Sequence, residues 1–534
     1  MSASAPEVLC IGKPRLTAGL DRLRRLDLAA HQAVFGKLPR VTARQLISMA
    51  EQVDLRGRGG AAFPVARKLA AVRDAASTRK RAPMVVVNGT EGEPGSAKDR
   101  MLLLRSPYLV LTGAMAAARA LRARLILVGV TDPLVARSVR EAATADPGLA
   151  RLVRVMEVPD RFVSGESGAL INAMNGRTPL PPGRRRQASY SGVGHRPTLL
   201  SNAETFAQLA VLAMTGPAGF AATGTPAEPG TVLLTVGGAA GHPAVVVEVP
   251  SGLPLGEVLD LCGAEPAEGV LVGGYHGCWL PAQAAYHVPV SRAGLAAAGG
   301  TLGAGVVLAL GQRSCPLGEV ARVATYLAKE SSGQCGPCKL GLPGIARSLA
   351  ALADGSGGAD ALDTARRGAA AVRGRGACAH PDGVFRFVVS ALDVFTDDLA
   401  AHLLRGSCGR PVRNRLPLPS VPGAVRLTVD WTRCRGHGLC AHIVPELVHT
   451  DRQGFPVMLD TPVPPWLERD ARQAVEMCPA LALRLIPADP SQAAARAWLG
   501  RLGVGQGPVA ETVPDLVVSE DWIAEISAER ATPG

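Results

Sequence analysis

Two stretches decide the fold: LRGRGGAAFPVARK at residues 55–68 and MVVVNGTEGEPGSAKDR at residues 84–100. The first is a glycine-rich loop that runs into a predicted helix, and its glycines and cations are Gly57, Arg58, Gly59, Gly60 and Lys68. Glycines let backbone N–H groups approach a ligand closely, and a helix N-terminus favours an anion. The second is an apolar strand that ends in an acidic loop, which is where open α/β folds bind their ligands. Each stretch alone is compatible with an ordinary turn, but the pair predicts a site for an anionic cofactor.

Together the two stretches resemble the signature loops of the NADH-binding flavoprotein subunit of respiratory complex I and its relatives in soluble hydrogenases and formate dehydrogenases. Residues 161–177 and 191–210 resemble two further signatures of that family. The resemblance implies FMN as cofactor and NADH or NADPH as substrate. The cofactor-binding residues that it implies are Gly57, Arg58, Gly59, Gly60, Phe63, Lys68, Asn88, Glu91, Gly165, Glu166, Asn202 and Thr205. It gives the catalytic positions beside the nucleotide to Glu93 and Glu166. Taken alone, Ser164 would cap a helix and Asn202 would begin another.

The positions that resemble the nucleotide side of the site are less well preserved than those of the flavin side. On the nucleotide side, Ser167 stands for a second glutamate, Ala70 and Ala71 stand where relatives have an aromatic residue, and the proline-rich loop at 178–190 has no Phe. On the flavin side, Thr90 stands for an aspartate. Stacking on the nucleotide would lose about 1 kcal/mol for each missing aromatic contact. A missing carboxylate near Arg184–Arg186 would also favour the extra phosphate of NADPH, so the nucleotide remains open.

Composition bounds the class of protein. The chain has 534 residues, of which 47% are hydrophobic and 19% charged, and its net charge is +12. That length predicts three or four domains. The basic residues are dispersed and no nucleic-acid fold signature is present, so we expect no nucleic-acid binding. No apolar run has the length of a transmembrane segment and no signal peptide is visible, so we expect a cytoplasmic protein that can attach to a membrane only through a partner.

The alternation of strands and helices predicts an α/β multidomain protein. The resemblance implies a Rossmann-like FMN-binding α/β domain, a β-grasp domain of the SLBB type, a helical iron–sulfur bundle and a C-terminal α+β ferredoxin-like domain. The predicted boundaries are 1–210 with a helical lead-in, a linker at 211–228, the β-grasp domain at 229–290, the helical bundle at 305–410, a proline-rich linker at 411–423, the ferredoxin domain at 424–487 and a tail with an acidic end at 488–534.

Eleven cysteines without a secretion signal argue against a disulfide framework and favour metal or cluster ligands. In the helical segment the resemblance implies an iron–sulfur cluster at Ser332, Cys335, Cys338 and Cys378. Ser332 stands where relatives have a first cysteine. The site therefore holds a [4Fe–4S] cluster with an oxygen ligand, holds a three-iron cluster, or is degenerate. The alternative interpretation of the two close cysteines is a zinc site or a redox pair. Cys408 is expected to be structural.

The C-terminal module resembles small actinobacterial-type ferredoxins. Its predicted ligands are Cys434, His437, Cys440 and Cys478, and Pro479 follows the last cysteine. His437 stands where a four-iron site has a cysteine. Three cysteines predict [3Fe–4S], and imidazole ligation by His437 would give [4Fe–4S]; an exposed loop histidine is the remaining interpretation.

Three functions remain open on these grounds. The first is an NADH dehydrogenase-like oxidoreductase that passes electrons through both clusters to an external acceptor. The second is an electron-transfer relay without its own NADH site, and the third is a non-catalytic scaffold with degenerate sites. The resemblance implies a redox partner protein, either a thioredoxin-like iron–sulfur subunit or a membrane reductase.

Overall fold

The structure, a computed structural model, describes residues 6–183, 187–237, 244–264, 268–419, 425–445, 447–458, 463 and 468–487. The predicted tail at 488–534 and the arginines at 184–186 lie outside the described residues. The chain divides into two compact units, one up to Pro411 and one from Val412. It is a mixed α/β multidomain protein with parallel strands, as the sequence predicted.

The larger unit contains ten described strands and seventeen described α-helices. The strands are β1 (Glu7–Cys10), β2 (Met84–Gly89), β3 (Ile126–Val130), β4 (Val153–Glu157), β5 (Thr198–Asn202), β6 (Thr231–Gly237), β7 (Val245–Pro250), β8 (Gly269–Val272), β9 (Cys278–Pro281) and β10 (Val306–Leu310). The helices are α1 (Leu28–Phe35), α2 (Ala43–Gln52), α3 (Val65–Arg79), α4 (Lys98–Arg105), α5 (Pro107–Leu121), α6 (Pro133–Ala145), α7 (Pro147–Ala150), α8 (Ser167–Met174), α9 (Ala203–Ala221), α10 (Leu255–Leu261), α11 (Ala282–Ala285), α12 (Arg292–Ala297), α13 (Pro316–Lys329), α14 (Leu342–Ala353), α15 (Gly358–Val372), α16 (His380–Val394) and α17 (Thr396–Arg405).

A parallel sheet forms the centre of the larger unit, in the order β4-β3-β2-β5. Its strands are nearly continuous apolar runs because both faces of a parallel sheet are covered. The long apolar helices α5 and α9 pack against each other over the sheet. Their close approach requires Gly113, since a Cβ there would lie 1.8 Å from the carbonyl oxygen of Phe206. The main hydrophobic core lies between these helices and the sheet.

A second, mixed sheet has the order β1-β7-β6-β10-β8-β9. It encloses its own hydrophobic core with α10 and the loops that follow β9. The last part of the larger unit is helical: α13 and α15 pack on α14, and a short π-helical turn at Pro337–Gly341 precedes α14.

Three segments of the larger unit differ from the sequence prediction. Residues 306–310, at the start of the predicted helical bundle, form β10 because they pair with β6 and β8 of the mixed sheet. Residues 7–10 form β1, which pairs in parallel with β7, within the segment predicted to be a helical lead-in. Four residues are too few to show a period, and pairing with a distant strand decides their conformation. The predicted linker at 211–228 begins inside α9, which runs to Ala221 and buries Phe220. Gly216 (φ +69°) kinks α9, and Pro217 begins the helical segment after the kink. Because glycine and proline are also typical of linkers, the sequence of this segment resembled a linker.

The smaller unit has two antiparallel strand pairs and two helices among its described residues. They are β11 (Val425–Val429), α18 (Leu439–Ile443), β12 (Val448–Thr450), β13 (Pro456–Met458), α19 (Glu468–Glu476) and β14 (Leu483–Pro487). β11 pairs with β14, and β12 pairs with β13. A small apolar core that includes Cys440, Val444 and Ala471 lies inside this unit.

Within the described ranges, no single helix is long and apolar enough to cross a membrane. The pair α4 and α5, bent by 94°, meets the length and composition criterion only when the two helices are taken together.

Candidate functional site

A cavity of about 470 Å³ lies in the larger unit where β2 and β5 end. Asn88, near the end of β2, and Asn202, at the end of β5, are paired neighbours in the sheet and both line the cavity. The carboxyl ends of neighbouring parallel strands are where open α/β folds bind ligands. The other walls come from the glycine loop, the turn before α8, loops of the mixed sheet and the start of α16, so three parts of the unit meet here.

The cavity brings together most of the residues predicted from the sequence. Those that line it are Arg58, Gly59, Gly60, Asn88, Glu91, Glu93, Gly165, Glu166 and Asn202. Gly57, Phe63, Lys68 and Thr205 are not among the lining residues.

Three of the residues that do not line the cavity shape the glycine loop around it. The backbone N–H of Gly57 donates to the carbonyl of Phe63 at 3.0 Å. The N–H of Arg58 donates to the Thr205 hydroxyl at 2.9 Å. Gly60 has a φ of +94°, which only glycine adopts readily. Thr205 therefore positions the loop and does not itself line the cavity.

Lys68 contacts a strand of the parallel sheet and does not line the cavity. Its Nζ donates to the carbonyl of Leu200 at 2.9 Å, and it lies 5.9 Å from the centre of the Phe63 ring. Burial lowers the pKa of Lys68. The Phe63 side chain is 48% exposed.

A buried charge cluster of Lys98, Asp99 and Glu204 lies at one wall of the cavity, and sequence reasoning missed it. Lys98 Nζ lies 3.2 Å from Asp99 and 3.0 Å from Glu204, and all three side chains are at most 4% exposed. Burial alone lowers the pKa of Lys98, but Asp99, Glu204 and Glu91 together raise it above its ordinary value. Asp99 also accepts a hydrogen bond from the Asn202 amide. A signal was available, because Lys98 and Asp99 belong to the stretch that contains the acidic loop.

The two carboxylates of the acidic loop have different surroundings. Glu91 accepts hydrogen bonds from the N–H groups of Asp99 and Arg100 at 2.9 and 2.8 Å, and its φ is +44°, a strained value for a non-glycine residue. Glu93 accepts one from the N–H of Tyr275 at 3.1 Å. Burial raises the pKa of Glu93 to about 8 and that of Glu91 to about 7, so both carboxyls can hold a proton near neutral pH.

Glu166 serves the helix that follows it. Its Oε2 accepts the N–H groups of Gly168 and Ala169 at 2.8 and 2.9 Å, so Glu166 is the N-cap of α8, and the interpretation of Ser164 as the cap is wrong. Capping occupies one carboxylate oxygen, and the side chain still lines the cavity. The Asn88 amide donates to the carbonyl of Gly165 at 2.9 Å, which joins the β2 loop to this turn.

The residues present fit FMN. Arg58 Nε and Glu93 Oε1 are buried without a hydrogen-bond partner among the described residues, and both side chains line the cavity. Arg58 Nε lies 3.9 Å from Glu204 Oε1, so it has an ion-pair neighbour but no hydrogen bond within the described ranges. Buried polar groups are nearly always hydrogen-bonded, so these two groups around one cavity indicate a polar ligand. The cavity volume is also within the usual range for small-molecule sites, about 300–1,000 Å³.

A histidine pair lies on the cavity wall next to Cys378, and no sequence pattern indicated it. His276 Nε2 lies 2.9 Å from His380 Nδ1, and His380 Nε2 lies 2.8 Å from the carbonyl of Leu327. Since that carbonyl only accepts, His380 donates from Nε2 and accepts from His276 at Nδ1. Both imidazoles line the cavity together with Cys378.

The cysteines predicted to bind the first cluster come together in the helical part. The Sγ atoms of Cys335 and Cys338 are 3.6 Å apart, and Ser332 hydrogen-bonds Cys338. Burial, then the proximity of Cys335 and Cys378, raises the pKa of Cys338 to about 11. Three thiols and one hydroxyl thus share one site, which is a donor set that fits an iron–sulfur cluster with an oxygen at its fourth position.

In the smaller unit, the four predicted ligands Cys434, His437, Cys440 and Cys478 line one small cavity. The rest of the lining is mostly apolar, and the N–H of Ala482 donates to Cys478 Sγ at 3.4 Å. Thiolates shielded by apolar residues and backbone N–H groups fit an iron–sulfur cluster.

Three family models match the chain. They are the Nuo51 FMN-binding domain over residues 50–211, the NADH-ubiquinone oxidoreductase-F iron-sulfur binding region over residues 319–402, and a 4Fe-4S single cluster domain over residues 427–485. The chain is therefore an FMN- and iron–sulfur-dependent oxidoreductase of the NADH dehydrogenase type, and the predicted cofactors are confirmed.

Individual proteins are also similar to this chain. The F subunit of NADH-quinone oxidoreductase from Mycobacterium tuberculosis (strain ATCC 25618 / H37Rv) is 29% identical over 386 residues, which cover 68% of this chain and 85% of the relative. The HndC subunit of the NADP-reducing hydrogenase from Solidesulfovibrio fructosivorans is 25% identical over 428 residues, 77% of this chain and 84% of the relative. The crystal structure of NAD+-reducing [NiFe]-hydrogenase in the air-oxidized state matches with a TM-score of 0.65 and 27% identity over 74% of this chain and 68% of that one. The resemblance to the complex I flavoprotein family is confirmed.

Proposed function

We propose that this chain oxidises NADH or NADPH in the cavity of its larger unit and passes the electrons, one at a time, to its two cysteine sites and then to a partner protein. The observation that carries the proposal is the position of Cys378. This predicted cluster ligand lines the same cavity as the glycine loop and the carboxylates, so the flavin site and the first cluster site adjoin. FMN, when bound, supplies the conversion between two-electron and one-electron transfer.

The chain's own groups have separable roles in this proposal. Arg58 Nε and the N–H groups of the glycine loop, which Thr205 positions, would hold the cofactor's anionic and polar groups. Glu93, with its raised pKa, would hold or release a proton beside the nucleotide. The fold match supports a mixed α/β multidomain protein. We propose in addition the individual domains that the sequence predicts, which are the β-grasp domain, the helical iron–sulfur bundle and the ferredoxin-type domain.

A second function is favoured by one observation. Ser167 lines the cavity at the position where the sequence departs from the family's second glutamate. Without that carboxylate and without the aromatic residue replaced by Ala70 and Ala71, nucleotide contacts are weaker, and the chain could be a relay whose flavin is reduced by a partner protein.

The partner and the location stay proposals. The two sequence relatives are named as subunits, and we propose that this chain also passes electrons to another protein, either a thioredoxin-like iron–sulfur subunit or a membrane reductase. The location predicted from the sequence is cytoplasmic, with or without attachment to a membrane through that partner.

An anaerobic titration of the flavin-loaded chain, followed by visible absorption, tests the proposal. We expect NADH or NADPH to bleach the flavin band first and the iron–sulfur absorption afterwards. A Cys378→Ala variant should keep flavin bleaching and lose the later phase, whereas Cys262→Ser, at a cysteine outside both sites, should behave like the parent. If dithionite bleaches the chain and neither nucleotide does, the dehydrogenase proposal fails and the relay is correct.

A further inference from the structure

A second group of metal-ligating side chains lies outside the cavity and outside both predicted cluster sites. It consists of Cys315, Asp398, His402 and Cys408, whose ligand atoms all lie within 4.8 Å of one another. We propose that these four residues bind one divalent metal ion, and that the ion is Zn²⁺. The proposal is independent of the proposed oxidoreductase function, because none of the four residues lines the cavity.

The local fold explains why these groups meet. Cys315 is the N-cap of α13, and its Sγ accepts the N–H of Gly318 at 3.3 Å. Asp398 and His402 are four residues apart on α17, so they share one face of that helix. Gly406, with a φ of +75°, ends α17 and lets the chain turn back, which brings Cys408 to the same place. The two halves of the group are 83 residues apart in sequence.

The distances suit tetrahedral coordination. Cys315 Sγ lies 3.3 Å from His402 Nε2 and 4.0 Å from Asp398 Oδ2. Ordinary zinc–ligand lengths of about 2.0–2.3 Å place tetrahedral ligand atoms roughly 3.3–3.8 Å apart. The group is therefore the size of a single-ion site, and it is too compact to surround a four-iron cube.

Burial gives an independent argument. Cys315, Asp398 and His402 are each at most 5% exposed. His402 Nδ1 is buried without a hydrogen-bond partner among the described residues, so the imidazole's polar contact is made through Nε2, which faces the thiol. Burying an imidazole that has only one polar contact costs free energy, because its other nitrogen loses its hydrogen bond to water. Coordination of a metal ion by Nε2 would offset that cost.

A neighbouring cation offsets part of the charge of the group. Two thiolates, one carboxylate and Zn²⁺ sum to about −1 in this coordination chemistry. Arg410 lies beside the group: its guanidinium donates to Asp398 Oδ1 at 2.7 Å and hydrogen-bonds Cys408. The guanidinium, which also pairs with Glu268, supplies positive charge beside the group. Asp398 Oδ2 accepts the N–H of Leu317 at 3.3 Å and, as a carboxylate oxygen, has a second lone pair for the ion. Such outer partners are usual around metal ligands.

The donor set selects the metal. Sulfur and imidazole donors favour zinc over magnesium or calcium, which prefer oxygen ligands. All four positions of a tetrahedron are filled by protein atoms, which is typical of structural zinc sites and leaves no open position for catalysis. The ion would join the start of α13 to the segment after α17 and so stabilise the helical part of the larger unit.

Metal analysis of the full-length holoprotein, purified from zinc-supplied cells, tests the proposal. We expect about one zinc per chain, in addition to the iron of the clusters. Cys315→Ser and His402→Gln should each lower zinc at least fivefold and leave the iron-to-flavin ratio unchanged. Cys262→Ser should keep both metals. The paired variant Cys335→Ser/Cys338→Ser should lose iron and keep zinc, which shows that zinc does not occupy the cluster site.

The unmodified chain provides a second measurement that does not depend on whether the variants fold. Removing zinc with a chelator, with iron monitored in parallel, should lower the melting temperature, and added Zn²⁺ but not Mg²⁺ should restore it. Zinc well below one per chain in the parent protein would overturn the proposal. So would zinc that persists in both ligand variants, or a peptide map that shows Cys315 and Cys408 joined as a disulfide.

Discussion

The buried cluster around Lys98 gives the sharpest prediction, and the substitution that tests it is Lys98→Met. Methionine keeps the length and apolar stem of lysine and removes the ammonium group. Asp99 and Glu204 then remain buried without their cation, 3.2 and 3.0 Å from where Nζ had been.

The expected cost follows from the burial of all three side chains, which are at most 4% exposed. Removing one partner of a buried ion pair costs about 3–5 kcal/mol, because an uncompensated charge stays inside. With an unfolding entropy of about 2.1 cal/mol/K per residue and about 400 residues in the unit, we expect the melting temperature to fall by about 4–6 °C. Lys98 also keeps the pKa values of Glu91 and Asp99 lower than burial alone would set them. Without it those carboxyls bind protons more readily, so the defect should be large at pH 8 and smaller at pH 5.5.

The assay is thermal unfolding of the full-length parent and variant at the two pH values. Arg100→Met is the matched control on the same helix, because Arg100 pairs with Asp132 at 2.6 Å while both side chains are about a quarter exposed. Such a pair contributes about 1 kcal/mol or less. The reasoning is refuted if Lys98→Met loses no more stability than Arg100→Met, or if its defect grows as the pH falls.

The remaining predictions concern Glu93, Thr205 and His437. Burial raises the pKa of Glu93 from 4.5 to about 8, so the stability gained from its bound proton is complete below pH 4.5 and is lost as the pH rises through 8. Glu93→Gln should therefore unfold at the parent's temperature near pH 4.5 and at a higher temperature above pH 8; equal values at both pH values would contradict the raised pKa. Thr205→Val removes the acceptor of the Arg58 N–H and should weaken FMN binding about fivefold to tenfold, measured by flavin fluorescence, whereas Thr144→Val, a helix-surface threonine, should not change it. For His437→Ala, an unchanged electron paramagnetic resonance spectrum of the ferredoxin cluster would show that His437 is no ligand, and a changed spectrum would show that it is.

The local parts of the site follow from the sequence alone. The glycine loop, the strand that ends in an acidic loop and the spaced cysteines are written in consecutive residues, because turns, strand ends and paired ligands need particular residue types at short spacing. The match of the chain to FMN- and iron–sulfur-binding domains confirmed the predicted cofactors, and the individual site residues stay predictions.

Features that depend on distant contacts required the folded chain. Folding placed β1 in the mixed sheet and paired His276 with His380, 104 residues apart. It also gathered Lys98, Asp99 and Glu204 into one buried cluster, and Cys315 with His402 into another, across gaps that no local pattern reveals. The physical reason is that the energy of a buried charge or ligand depends on which groups surround it in three dimensions, and the order of residues along the chain does not specify those neighbours.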